Sequence, residues 1–271
     1  MPLHSDYGRT PLHVAAVEGS SENVRLLLAH GARQDQEDHD GMTPLMLASY
    51  YGHMSAARVL LEAPDSDVDR PGQSSMTALH AAASTGHAAV VELLLLAGAV
   101  VDRTNDEGLT ALALCTFVGN VDGLRDSMRV LITAGADVDR ADTILGDTPL
   151  HGACRNVDPG LTEILSRGGA KVDVVNHRGE TPLFLASLDG NLATVEALLR
   201  AGADADRTVV VDGTTIKALH AAAHSGNLEV VKVLLEAGAD ATFEDGHGMT
   251  PAARAIREGH EEVARFLEQF S

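Results

Sequence analysis

Aromatic side chains are scarce in this 271-residue chain, where Phe, Tyr and Trp make up only 3% of residues and tryptophan is absent. Without large side chains, the interior must be filled by Ala, Leu and Val, which suit closely packed helices. We therefore expect many thin layers of helix rather than one thick mixed core.

Cysteine is also rare, with two residues in the chain and no N-x-S/T glycosylation acceptor. Two cysteines cannot build the disulfide framework of a small secreted domain. The opening residues 1–4 lack the basic and apolar regions of a signal peptide. The longest apolar run, residues 90–101, contains Glu92 and is too short to cross a bilayer. These features predict a soluble protein in the cytoplasm or nucleus.

Basic residues are outnumbered, since 20 Lys and Arg face 39 Asp and Glu and the formal net charge is −19. No Lys/Arg cluster is large enough to bind phosphate backbones or anionic lipid against that background. We therefore expect neither nucleic acid nor a membrane as a partner, and a basic segment of another protein is favoured.

One tetrapeptide recurs eight times, as TPLH, TPLM, TALH, TALA, TPLH, TPLF, KALH and TPAA, beginning at residues 10, 43, 77, 110, 148, 181, 217 and 250. A period near 33 residues indicates an array built from one supersecondary unit. In most copies Thr can cap a helix and the following Pro suits its first turn. A glycine nine residues after the Thr position ends that helix in most copies, and a second helical pattern follows.

This pattern resembles that of the ankyrin repeat family, G-x-TPLH-x-AA-x-x-GH-x-x-V-x-x-LL-x-x-GAD, over residues 5–271. The resemblance implies an all-α fold with short β-hairpin fingers, an ankyrin repeat solenoid of eight helix–turn–helix repeats forming a single domain over residues 1–271. Inner helices would line a concave surface beside the fingers. The expected repeats cover residues 5–37, 38–71, 72–104, 105–142, 143–175, 176–211, 212–244 and 245–271, and the last is a C-terminal cap.

The fourth to seventh repeats depart from the pattern. The fourth gains four residues after Gly119, and the fifth lacks the usual GH between its helices. Before the seventh, the finger lengthens to RTVVVDGTTIK, in which Asp212-Gly213 between β-branched runs predicts a tight hairpin. Lys217 replaces the capping Thr of this repeat, which removes a cap typically worth about 1 kcal/mol.

Most of the thirteen histidines recur in register, and the resemblance implies structural hydrogen bonds for them. Those in the tetrapeptide are His13, His80, His151 and His220, and those after the helix-ending glycine are His53, His87 and His260. No histidine spacing matches a metal motif, and no phosphate-binding glycine loop or catalytic constellation stands out. We expect no metal, no cofactor and no enzymatic activity. Cys115 and Cys154 occupy small-residue positions of inner helices, which favours buried, inert thiols over a nucleophile.

An aspartate recurs in the slot after the second helix. The members are Asp35, Asp69, Asp102, Asp139, Asp173 and Asp206. The favoured interpretation is a loop hydrogen-bond acceptor that replaces Asn and is partly neutralised by the Arg that often follows. A ladder of carboxylates that attracts a basic partner or cations is the alternative.

The family's recognition positions lie at the finger tips and in the residue pair before the helix-ending glycine, and all three tyrosines fall there. Tyrosine supplies rigid contact area with a polar tip. The candidate protein-binding residues are Met42, Tyr50, Tyr51, Met76, Leu109, Phe117, Val118, Ile144, Arg155, His177 and Arg178. The first eight form a predicted apolar stripe across repeats two to five. The alternative is that irregular repeats fold Phe117 and Val118 inward.

These patterns favour a non-enzymatic, monomeric scaffold or adaptor that binds a segment of another protein on its concave face and finger loops. A second hypothesis is a substrate-recruiting or regulatory region of a larger enzyme or ubiquitin ligase, whose catalytic or adaptor-binding segment would lie outside these residues. A small-molecule ligand is disfavoured by the lack of tryptophan and the acidity.

Overall fold

The computed structural model describes residues 7–117, 122–156 and 158–270. Within these ranges the chain forms sixteen α-helices and one two-stranded antiparallel sheet. It divides into two compact units, unit 1 ending at Asp137 and unit 2 beginning at Val138. None of the helices in these ranges is long and apolar enough to cross a membrane.

Unit 1 contains four helix pairs in two layers. The inner layer holds α1 (Pro11–Val17), α3 (Pro44–Tyr50), α5 (Ala78–Ser84) and α7 (Ala111–Phe117). The outer layer holds α2 (Ser21–Ala29), α4 (Met54–Leu61), α6 (Ala88–Leu96) and α8 (Leu124–Thr133). Within the unit, each helix packs against its own partner and against its counterpart in a neighbouring pair. Successive pairs therefore bury each other, as a repeat array requires.

Unit 2 repeats this plan with four further pairs. Its inner helices are α9 (Pro149–Arg155), α11 (Pro182–Leu188), α13 (Ala218–Ser225) and α15 (Pro251–Glu258). Its outer helices are α10 (Pro159–Arg167), α12 (Leu192–Arg200), α14 (Leu228–Glu236) and α16 (Glu261–Leu267). The predicted helix–turn–helix repeat is confirmed in both units.

The helix boundaries follow from local sequence. The hydroxyl of Thr43 accepts a hydrogen bond from the backbone N–H of Met46 at 3.3 Å, and Pro44 occupies the first turn. At the other end Gly52 adopts a φ of +74°, and a Cβ there would lie 2.6 Å from the ring of His87. Both the backbone conformation and the close approach require glycine.

The core is thin and built from small and branched aliphatic side chains, as the composition predicts. Ala48 and Ala82 are fully buried in inner helices, whereas Leu60 and Leu94 are fully buried in outer helices. Because small residues let neighbouring helices approach closely, the chain needs few aromatics in its interior.

The predicted hairpin before the seventh tetrapeptide is confirmed. Strands β1 (Thr208–Val211) and β2 (Thr214–Lys217) pair antiparallel. The connecting Asp212 and Gly213 have φ values of +49° and +78°, the left-handed pair that a tight hairpin turn needs.

Candidate protein-binding surface

The two adjacent tyrosines lie where the inner helix α3 meets solvent. Residues 44–49 of this helix are buried, Tyr50 is its last residue, and Tyr51 is its C-cap. The two side chains are 45% and 43% exposed. The prediction that they face outward from the core is confirmed.

The two tyrosine rings are held in a defined arrangement. Their centroids lie 5.2 Å apart with the ring planes at 81°, and the ring of Tyr51 stacks on that of His53 at 6.2 Å. His53 in turn donates a hydrogen bond from Nε2 to the carbonyl oxygen of Val17 at 2.8 Å. The preceding repeat therefore fixes the imidazole on which Tyr51 packs.

Three more candidates lie on unit 1. Phe117 ends α7 in the register of Tyr50 and is 45% exposed, so the interpretation that it folds inward is wrong. Met42 and Met76 are half-buried just before the capping threonines. Val118 lies outside the described residues. We call Met42, Tyr50, Tyr51, Met76 and Phe117 the aromatic surface of unit 1.

The expected exposure of Leu109 is wrong, because its side chain is buried and only 8% exposed. Its finger is closed by Asn105, whose side-chain oxygen accepts from the backbone N–H of Leu109 at 2.9 Å. The carbonyl oxygen of Leu109 accepts from His80 Nε2 at 3.2 Å. Held by these bonds from two repeats, Leu109 contributes to packing and is not part of the exposed apolar stripe.

The remaining candidates belong to unit 2. Ile144 is 62% exposed, and its carbonyl oxygen lies 3.3 Å from His177 Nδ1. The ring of His177 covers Gly146, where a Cβ would lie 2.6 Å from it. Arg178 is also exposed. The structure thus brings Ile144 and His177 together at neighbouring finger tips.

Arg155 is engaged within the chain. Its guanidinium pairs with the fully buried carboxylate of Asp147 and lies 3.7 Å from a carboxylate oxygen of Glu180. Asn176 donates from Nδ2 to the second oxygen of Asp147 at 2.8 Å. The guanidinium of Arg155 therefore neutralises buried carboxylates, a role that its position in the repeat did not reveal.

The surroundings of the aromatic surface are acidic. The described residues of α1, α3, α5 and α7 include no lysine or arginine. An exposed carboxylate, that of Glu18, lies at the end of α1. Three more lie at the finger tips and belong to Asp40, Asp106 and Glu107. Arg9, at the first finger, is paired with Asp38 at 3.1 Å and is 11% exposed.

The histidines of the tetrapeptide are structural, as expected. Each directs Nε2 to a backbone carbonyl of the next finger, for example His13 to Met42 at 3.0 Å and His151 to Glu180 at 3.1 Å. Burial lowers the pKa of all four imidazoles below the ordinary histidine value. They are therefore neutral at physiological pH and form part of the repeat scaffold.

The recurring aspartates also bond to the backbone. Asp102 accepts from the N–H of Asp137 at 3.0 Å, and Asp139 accepts from that of Lys171 at 2.9 Å. The same bond to the following repeat is made by Asp69, Asp173 and Asp206. The interpretation of these residues as loop hydrogen-bond acceptors is confirmed for these five.

The two cysteines are free and buried, as predicted. Burial raises the pKa of the Cys115 thiol to about 12 and raises that of Cys154 as well, so neither carries a reactive thiolate at neutral pH. Among the residues that the structure describes, no group of three or more His, Cys, Asp and Glu side chains is arranged to hold a metal ion.

An exposed apolar groove on the outer layer was missed from the sequence. Leu95 and Leu96 of α6 line it together with Val130 of α8, and Leu96 is 81% exposed. A signal was present, because the slot of Leu96 holds Ala, Glu, Thr or Arg in the other repeats with this helix pattern.

Comparisons with known proteins agree with this architecture. A family model described as "Ankyrin repeats (3 copies)" matches residues 2–72, 64–142, 122–209 and 209–269. Human ankyrin repeat and SOCS box protein 16 is 38% identical over 183 residues, which is 66% of this chain and 40% of that protein. The mouse B-cell lymphoma 3 protein homolog is 33% identical over 207 residues, 73% of this chain and 45% of that protein. Human neurogenic locus notch homolog protein 1 is 36% identical over 196 residues, which is 66% of this chain and 7% of that protein. The chain thus spans less than half the length of each of these relatives.

Proposed function

Because the chain belongs to the ankyrin repeat family, we propose that it is a non-enzymatic scaffold or adaptor that binds a segment of another protein. The aromatic surface of unit 1 and the adjacent finger loops form the binding site. One observation carries this proposal: a chain almost without aromatics exposes the rings of Tyr50 and Tyr51 at the end of an otherwise buried helix.

The fixed geometry of these rings supports a binding role. A partner that packs on Tyr51 would meet a ring already stacked on His53, so little side-chain freedom is lost on binding. Tyrosine is enriched among the residues that dominate interface energies.

The spacing of the aromatic surface suits an extended segment. Tyr50 and Phe117 end inner helices that are separated by one further helix, α5. Packed helices lie about 8–10 Å apart, which puts the two rings on the order of 20 Å apart. An extended peptide rises about 3.3 Å per residue, so about six residues would span this distance.

The charge of the site favours a basic partner. The nearby exposed carboxylates are not balanced by lysine or arginine on the inner helices of unit 1. Charge complementarity of this kind accelerates association and selects against acidic partners. We therefore expect a basic segment of another protein, and we expect neither nucleic acid nor a membrane surface.

The test compares the wild-type chain with Tyr50→Ala/Tyr51→Ala. Partners captured by the wild type from lysate are identified, and the dissociation constant of each is then measured with purified components. Loss of two central aromatic contacts should weaken binding by more than about tenfold. The matched control is Leu96→Ala, which removes an exposed apolar side chain from the outer layer. Equal affinity of wild type and tyrosine variant, with both folded, would refute the site.

The second candidate function is that of a recruiting or regulatory region in a larger enzyme or ubiquitin ligase. It is favoured by the relative whose name adds a SOCS box to ankyrin repeats and of which this chain covers 40%. The test is the full-length transcript. A reading frame that continues into a further domain would support this candidate, and one that adds none would exclude it.

We further propose that the chain is a monomer located in the cytoplasm or nucleus. Light scattering of the purified chain gives its mass in solution, for which a value near the 28.3 kDa of one chain is expected. Imaging of a tagged full-length protein tests the location, and a secreted product would contradict it.

A further inference from the structure

The chain pairs several of its aromatic rings with its own cations. The guanidinium of Arg9 lies 5.1 Å from the ring centroid of Tyr7, and the ammonium of Lys217 lies 4.2 Å from that of Phe243. In the described part of the chain no lysine or arginine lies over Tyr50 or Tyr51, whose ring contacts are with each other and with His53. These two rings therefore expose π surface that no cation of unit 1 occupies.

The charges around the two rings would attract a cation from outside. Glu18 is the C-cap of α1, the position that Tyr51 occupies in α3, and it is exposed one helix away. Unit 1 contains no lysine, and the arginine nearest its first finger is committed to Asp38. A cationic side chain that arrives at the tyrosines would meet negative charge, and among the described residues no lysine or arginine already lies over either ring.

The ring geometry fits one such side chain. Two rings at 81° with centroids 5.2 Å apart form an edge-to-face corner, and the two residues remain 45% and 43% exposed, so part of the aromatic surface is open to a partner. A guanidinium or ammonium group attracts the negative face of a tyrosine ring within about 6 Å. The stacking of Tyr51 on His53 keeps this corner in place before the partner arrives.

We propose that the corner formed by Tyr50 and Tyr51 is a subsite for one arginine or lysine side chain of the partner segment. The inference rests on the proposed function and makes it more specific. The partner would carry a cationic residue beside an apolar one, with the cation in the tyrosine corner and the apolar side chain against Met42 or Met76.

The experiment begins with a library of random peptides displayed on phage and selected on the full chain. Binders are then screened against Tyr50→Leu/Tyr51→Leu, which keeps apolar area and removes both rings. Peptides that bind the wild type and not this variant should be enriched in arginine or lysine next to an apolar residue.

A neutral replacement then isolates the charge. In the tightest peptide each arginine is replaced by citrulline, and each lysine by norleucine. At the subsite position this change should weaken binding to the wild type by about 5- to 30-fold, the range of cation–π contacts that are partly desolvated. It should have less than roughly a twofold effect with Tyr50→Leu/Tyr51→Leu. Tyr50→Phe/Tyr51→Phe retains the rings and should behave as the wild type.

Phe117→Leu is the matched control, because it removes an aromatic ring from another repeat of the same surface. It should weaken peptide binding and leave the citrulline effect unchanged. Tyrosine-dependent peptides without cationic enrichment, or a neutral replacement that acts equally on both proteins, would overturn the subsite and leave the protein-binding function standing. Binders that ignore both tyrosines, or a library without binders, would overturn both.

Discussion

Replacing Arg155 by leucine should destabilise unit 2, because this guanidinium is the partner of buried carboxylates. Asp147 has no exposed side-chain surface and Glu180 is 10% exposed, and both face the Arg155 side chain. Removal of the guanidinium would leave their negative charges buried, with Asn176 still donating to both carboxylates. The repeat pattern predicted a partner-binding role for Arg155, whereas the structure shows its guanidinium paired with buried carboxylates of its own chain.

The expected loss is about 2–3 kcal/mol. Breaking a fully buried ion pair by removing one partner costs roughly 3–5 kcal/mol. Arg155 retains 32% of its side-chain exposure, so water can reach part of the space it vacates. Asn176 also continues to donate to Asp147. Both features place the loss below that range.

Urea denaturation at neutral pH measures this loss, with Arg178→Leu as the control for removing an exposed arginine from the same unit. The control should change the free energy of unfolding by less than about 0.5 kcal/mol. Adding Asp147→Asn to Arg155→Leu should restore part of the stability, because the buried charge is then gone. A loss below about 0.5 kcal/mol for Arg155→Leu, or no rescue by Asp147→Asn, would refute the reasoning and return Arg155 to the binding surface.

Three further predictions concern other parts of the repeats. Phe184→Ala should cost about 3–4 kcal/mol in urea denaturation because it leaves a cavity beneath the hairpin, and an effect under about 1 kcal/mol would contradict this packing. Burial raises the pKa of Asp245, but the paired Arg254 and two backbone N–H donors outweigh it and lower the pKa to about 2. The ionised carboxylate therefore contributes about 2 kcal/mol to the free energy of unfolding above pH 4, and this contribution is lost as the pH falls towards 2. The stabilities of wild type and Asp245→Asn should converge as the pH is lowered, and a difference between them that stays constant with pH would refute this. Cys115 and Cys154 should react with a thiol reagent only in urea, and rapid labelling of the native chain would contradict their burial.

The helices and the hairpin could be predicted because their signals are local. Thr followed by Pro marks the start of α3, and a glycine that needs a positive φ follows its end at Gly52. Asp212-Gly213 between β-branched residues likewise determines a turn within a few residues. Such signals depend on the backbone of the segment itself and survive in any tertiary setting.

Exposure within the candidate site was harder to predict because it depends on neighbouring repeats. Met42, Met76 and Leu109 occupy the same repeat slot, yet the first two are half-buried and Leu109 is buried. Arg155 sits in the slot that Tyr50 occupies in the second repeat, but a carboxylate eight residues earlier binds it. The repeat pattern predicts where a residue lies along its repeat, whereas the side chains of neighbouring residues determine whether that residue is exposed to solvent.

Departures from the pattern are matched by changes in the adjacent repeat. Phe184 replaces the tetrapeptide histidine and cannot donate to the next finger. The next finger is the long hairpin, whose Val209 and Ile216 pack on Phe184 and are themselves buried. An apolar contact thus takes the place of the imidazole hydrogen bond at this junction, which explains why the lengthened finger is rich in β-branched residues.

Lys217 shows the same principle with charge. As a replacement for threonine it supplies no side-chain cap to α13, and Nδ1 of the buried His220 is left without a partner. The lysine is buried, but its ammonium donates to Asp206 at 2.7 Å and lies over the ring of Phe243. Asp206 also accepts from the backbone N–H of Asp240 at 2.8 Å. The missing cap, worth about 1 kcal/mol, is therefore offset by contacts that connect the sixth and seventh repeats. Reverting Lys217 to threonine would restore a local bond while removing contacts between repeats, so agreement with the repeat pattern alone does not predict stability at this position.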